Sequence, residues 1–100
     1  VRNGDFTQVR LRFIEAKLIT HGSINRADIT TLFGVTEPTA TRDLRRYRQL
    51  NVSLVLNHST KRWERSPEFQ PTEGLLHLDA NAFIECVEAV FASESREEKP

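Results

Sequence analysis

The stretch Gly34-Val35-Thr36-Glu37-Pro38 leaves a chain like this few folds to choose from. It follows a run in which Ala27, Ile29, Leu32 and Phe33 supply the packing positions of a short helix. Gly34 ends that helix, because glycine takes the left-handed conformation without a Cβ penalty. Thr36 can cap a new helix, Glu37 favours its positive end, and Pro38 in the first turn loses no intrahelical hydrogen bond. Two helices joined this closely make the tight connection of a helix-turn-helix, with the second of the pair running to about Gln49.

The flanking segments complete a recognisable order of elements. A first helix is predicted from Asp5 to Ile19, with Val9, Phe13, Ala16 and Thr20 on one side. Leu11, Ile14, Leu18 and Ile19 broaden its apolar face, and His21-Gly22 ends it. Asn25, with Asp28 three residues on, approximates a capping box for the short helix. After Leu50 the period changes. Val52, Leu54 and Leu56 alternate with Ser53, Val55 and Asn57, as in a strand. His58-Ser59-Thr60-Lys61 is a polar turn, and Arg62 to Arg65 is the return strand with Trp63 facing in. The turn lacks an Asn-Gly or Asp-Gly signal, so the hairpin register stays open. Three helices followed by this hairpin form a winged helix-turn-helix, a mainly α fold with a β-hairpin. Ser66 to Pro71 reads as irregular, with Phe69 tucked against the domain. A final helix from Asp79 to about Phe91 carries Ala80, Phe83, Ile84, Val87, Val90 and Phe91 on one stripe. The expected division is therefore a DNA-binding domain over 1–71, a helical linker or dimerisation extension over 72–93, and a disordered tail over 94–100.

Formal net charge is zero, from 14 basic and 14 acidic residues, but the two signs are separated. Residues 1–65 carry 12 Lys or Arg against 6 Asp or Glu, whereas 66–100 carry 2 against 8. The first part can approach a polyanion, and the second should point away from it. One cysteine cannot staple the chain internally. No apolar run approaches the ~20 residues of a membrane span, and none resembles a secretion signal. Beginning at Val1 and stopping at Pro100 after a charged run, the chain reads as a piece of something larger.

The third helix carries the functional signal. Advancing about 100° per residue puts Ala40, Leu44 and Tyr47 on a narrow buried stripe, with the Tyr47 hydroxyl free to reach a phosphate. Thr39, Thr41, Arg42, Arg45 and Arg46 fall on the opposite side. Arg42, near the middle of that face, is the first candidate for reading a base edge, with Thr39 and Thr41 beside it. Arg45, Arg46 and Arg48, later along the helix, suit backbone phosphates, as do Thr36 and the free amides at the helix start. Glu37 either accepts from a cytosine amino group or serves the helix terminus. Asp43, beside the stripe, orients an arginine or contacts the scaffold. In the turn of the hairpin, Lys61 is the best single contact to phosphate or minor groove, with Arg62 next to it.

Catalysis finds no support. His21, His58 and His77 lack the spacing of a zinc site, Cys86 sits inside an amphipathic helix, and the four glycines are scattered. No metal or cofactor is expected. Double-stranded DNA is the expected partner. The competing assignment is a protein-interaction winged helix docking on an acidic partner. RNA is disfavoured because no exposed aromatic array is visible.

The segment from Arg12 through Pro71 resembles the N-terminal winged-helix domain of bacterial WYL-type transcriptional regulators, and within them the branch associated with phage-defence loci. The matching pieces are Arg12-Phe13-Ile14-Glu15, Gly22-Ser23-Ile24-Asn25-Arg26, Phe33-Gly34-Val35-Thr36, Ala40-Thr41-Arg42-Asp43-Leu44 with Tyr47, and Ser66-Pro67-Glu68-Phe69-Gln70-Pro71. The resemblance implies a cytoplasmic, dimeric repressor acting on an inverted repeat, with recognition residues at Thr36, Thr39, Thr41 and Arg42. It also implies a following ligand-sensing domain, for which there is no room after Pro71, where Gly74–Phe91 looks like linker helices. The stripe of Phe83, Val87, Val90 and Phe91 has two uses open to it: packing on the first helix, or pairing with a second chain.

Overall fold

The computed structural model describes residues 6–76 and 79–92. The proposed tail over 94–100, Asp5 at the expected start of the first helix, and His77 lie outside them. Helix α1 spans Thr7–His21, two-residue strand β1 spans Ser23–Ile24, and helices α2 and α3 span Arg26–Phe33 and Glu37–Leu50. Strands β2, Leu54–Asn57, and β3, Arg62–Arg65, precede helix α4, Ala80–Val87, which runs into a π-helical turn over Glu88–Ala92. The fold is thus mainly helical with a small sheet and a C-terminal helical extension.

Local chemistry explains the boundaries. Gly22 ends α1 at φ 81°, its N–H donating to the Lys17 and Leu18 carbonyls. At α2 the capping box is complete: Asn25 Oδ1 accepts from the Asp28 amide at 2.8 Å, and Asp28 Oδ2 accepts from the Asn25 amide at 3.0 Å. Gly34 closes α2 at φ 70°, and the Thr36 hydroxyl oxygen accepts from the Thr39 amide to open α3. Asp79 caps α4 through the Ala82 amide at 3.2 Å.

The sheet is antiparallel in the order β1-β3-β2, with Ile24 opposite Trp63 and Leu56 opposite Trp63 on the other side. Strand β1 is an addition to the expected hairpin. Two residues cannot display alternation, and their partner strand lies far along the chain. The second strand starts at Leu54, not Val52, which is 84% exposed in the turn after α3. In place of an Asn-Gly signal, Asn57 builds the hairpin turn. Its Oδ1 accepts from the Ser59 and Thr60 amides at 3.0 and 3.2 Å, and its carbonyl accepts from the Lys61 amide at 2.7 Å. Lys61 follows at φ 64°, in the left-handed region.

The core joins Leu11, Ile14 and Leu18 of α1, Ile29 of α2, the Ala40-Leu44-Tyr47 stripe of α3, and Trp63. Phe69 packs on it, as expected, while Ala27 is exposed. Leu75, Ala80, Ile84 and Val87 belong to the same core, because α4 packs on α1. The π-helical turn widens the last turn of the extension. Phe91 there stacks edge-on against Phe33 and Phe6, with centroids 4.7 and 5.4 Å away, while Val90 is 54% exposed.

Candidate nucleic-acid interface

Helix α3 is held from behind by three layers of contact. Ala40, Leu44 and Tyr47 are fully buried, each large side chain contributing about 1.5–3 kcal/mol. Beside them, buried Asp43 pairs with buried Arg10 of α1, so this carboxylate belongs to the scaffold. At the far end, the Tyr47 hydroxyl donates to the buried Glu15 carboxylate, whose other oxygen accepts from the Thr72 amide at 2.9 Å. That hydroxyl therefore points into the protein and not toward a phosphate. Burial, and then the Glu15 carboxylate, push its pKa far above the ordinary tyrosine value. Asn51, at the C-terminal end of α3, completes the set by donating to the Gln70 carbonyl at 2.8 Å and Thr72 Oγ1 at 3.1 Å. The orientation of the helix is thereby fixed to α1 and to the segment after the hairpin.

What remains outward is basic. Arg42, Arg45, Arg46 and Arg48 are exposed, and none has an ion-pair partner among the described residues. Thr39 and Thr41 are half-buried on the same side, and the capping hydroxyl of Thr36 also donates to Thr39 Oγ1 at 3.1 Å. Arg42, Arg45 and Thr41 line a cleft of about 460 Å³ with Pro38, Glu37 and Arg26. Arg26, the first residue of α2, escaped the sequence reading. Its guanidinium donates to Thr41 Oγ1 at 3.4 Å and lies 3.8 Å from a Glu37 carboxylate oxygen. The available signal was its place directly after the Asn25 cap, since a helix-turn-helix brings the start of one helix alongside the other.

In the hairpin turn Lys61 is exposed beside His58, Ser59 and Thr60. Arg62 is turned differently: its Nε donates to Ser23 Oγ at 2.9 Å and its Nη2 lies 3.7 Å from Asp28. It clips the hairpin to β1 and α2. The four apolar residues of the terminal stripe are likewise spread. Val87 is buried, Phe83 and Phe91 are half-buried, and Val90 faces solvent. The exposed acids Glu85 and Glu88 sit on this extension, which packs on α1 and leaves the arginine face of α3 open.

Among the described residues no group of three or more His, Cys, Asp or Glu could hold a metal ion. No helix among them is long and apolar enough to cross a membrane.

Comparison with known proteins agrees with this geometry. Over 63 residues the chain is 38% identical to the DNA-binding transcriptional repressor CapW of Stenotrophomonas maltophilia, covering 62% of this chain and 21% of that protein. The chain thus spans about a fifth of the length of this curated relative. Residues 6–89, both the helix-turn-helix and most of the extension, match the model of the BrxR transcriptional regulator winged helix-turn-helix domain. By that match the chain belongs to the BrxR transcriptional regulator winged helix-turn-helix family.

Proposed function

We propose that this DNA-binding regulatory domain inserts α3 into the major groove of a specific duplex site and sets the hairpin turn on the neighbouring backbone. The single observation that carries the reading is the contrast across α3. Its rear stripe is fully buried and its front presents four arginines with no internal partner among the described residues. Guanidiniums left open in this way are available to guanine edges and phosphates. Arg42, with Thr39 and Thr41, reads bases. Arg45, Arg46, Arg48, Thr36 and Lys61 hold phosphates. Arg62, assigned to phosphate from the sequence, serves first as a brace for the hairpin, because its donors already face Ser23 and Asp28. A regulatory domain of this family is not an enzyme.

The proposal extends to a bacterial, cytoplasmic repressor acting as a dimer on an inverted repeat, in a longer WYL-type protein linked to phage defence. The resemblance noted above and the repressor name of a longer relative, of which the matched segment covers 21%, support this. In a dimer the two α3 helices would lie about one helical turn, ~34 Å, apart. Val90 and the open side of Phe83 are what the terminal stripe offers a second copy, since Val87 and Phe91 are engaged within the chain.

Selection of bound fragments from a random duplex pool, read by sequencing, tests the reading. An enriched inverted-repeat consensus is expected. Enrichment of a single half-site would remove the dimer and keep the base reading. Absence of any enriched sequence would contradict specific recognition and favour docking on an acidic protein.

A further inference from the structure

We propose that Arg26 and Glu37 form an exchangeable ion pair at the edge of the DNA-binding face, and that Glu37 is a specificity residue acting by repulsion. This rests on the DNA reading above and deepens it. Arg26 opens α2 and reaches across to the first turn of α3, where it meets Thr41 Oγ1 at 3.4 Å and Glu37 Oε1 at 3.8 Å. The two charged side chains are 52% and 70% exposed, so their pairing contributes little to stability and is easily given up. Yet it borders a cleft that Arg42 and Arg45 also line, so one acidic residue shares the cleft with three arginines. A carboxylate there does not serve charge balance alone, because it reduces the attraction of the cleft for any polyanion.

When α3 enters a major groove, the start of α2 meets the phosphate backbone. A phosphate can then replace Glu37 on Arg26, one anion for another, with bidentate geometry the carboxylate lacks at 3.8 Å. The freed Glu37 carboxylate is left facing the groove floor and wall. At a site that presents a cytosine amino group it accepts a hydrogen bond. Where guanine N7 and O6, thymine O4 or a phosphate lies there instead, it meets acceptors with no donor, and the complex is penalised. The helix-terminus role of Glu37 does not conflict with this, since the terminus favours the negative charge in either state.

Substitutions at two exposed positions test the exchange on this chain, with one duplex selected from a random pool and one of scrambled sequence, titrated over a KCl series. Arg26→Ala should weaken both duplexes and reduce the magnitude of the salt slope by about 0.9, one phosphate contact, while Arg26→Lys keeps the slope. Glu37→Gln should tighten the scrambled duplex about fivefold, the order of one exposed charge pair, and leave the selected duplex unchanged or weaker. Thermal melts should stay cooperative in all three variants, with Glu37→Gln lower by no more than a few degrees for the charge lost at the helix terminus. An unchanged slope in Arg26→Ala, or an equal shift of both duplexes in Glu37→Gln, overturns the exchange while the DNA reading stands. A parent protein that binds neither duplex at low salt overturns both.

Discussion

Lys61 shows how much a single position reveals once the backbone is known. A non-glycine residue at φ 64° costs of order 1 kcal/mol relative to glycine, and the hairpin turn would form more easily with Gly there. A lysine kept in that conformation is consistent with a need for its charge at the tip. Lys61→Gly should therefore raise the melting temperature by about 4–8 °C per kcal/mol of strain relieved. In a binding titration the same variant should weaken all duplexes about equally and lower the salt slope by about 0.9. A melting temperature that falls would show the conformation to be unstrained. At this scale the sequence was legible wherever helical geometry alone decides exposure, as for Arg42, Arg45 and Arg46 on α3. It was not legible where position depends on a second element. Arg26 is beside Thr41 because α2 crosses α3, Arg62 is turned to Ser23 because an unforeseen strand lies there, and the Tyr47 hydroxyl is turned inward by Glu15 from α1.

Among elements, α3 is the one whose attachment can be measured separately. The Tyr47-Glu15-Thr72 connection ties it to α1 and to the segment after the hairpin. The folded state holds the Tyr47 proton more tightly than the unfolded chain, whose tyrosine titrates near pH 10. Below that pH both states carry the proton and the stabilisation is complete. Above it the unfolded state loses its proton first, so stability falls with rising pH, by up to about 1.4 kcal/mol per unit from this group. Urea unfolding of the parent between pH 8 and 11 should show the decline beginning near 10. Tyr47→Phe should remove this contribution to the decline and, by leaving Glu15 short of a donor, lower stability at pH 8 by about 1–3 kcal/mol. Identical pH profiles for parent and variant would mean the hydroxyl is not buried against Glu15. The three helices of the helix-turn-helix were legible because their caps are written locally, in Gly22, Asn25, Gly34 and Thr36. Strand β1 was not, because it exists only through pairing with β3, and the π-helical turn after α4 was not, because packing of Phe91 on Phe33 sets it.

Across the whole molecule, charge and packing divide differently. The chain's basic and acidic parts meet near residue 65, but the core runs on through Leu75, Ala80, Ile84 and Val87. Arg12 reinforces the join by donating to the Leu75 carbonyl at 3.0 Å. Those four apolar residues together contribute several kcal/mol, comparable with the whole stability of a domain this size. A chain ended at residue 71 should accordingly lose its cooperative thermal transition, with exposed apolar surface detectable by dye binding. Retention of a sharp transition would make 1–71 an independent unit. The architecture was legible from the sequence because a helix-turn-helix and hairpin order constrains it strongly. The use of α4 was left open between cis packing and a second chain, since an apolar stripe does not name its partner.

We propose that the open side of α3 reads base sequence through Arg42. The most direct test compares parent and Arg42→Ala on a duplex selected from a random pool and on a scrambled duplex, at one fixed salt concentration. The parent should prefer the selected duplex, and Arg42→Ala should lose about 1–3 kcal/mol of that preference with its melting temperature unchanged. An Arg42→Ala protein that discriminates as well as the parent would contradict the account.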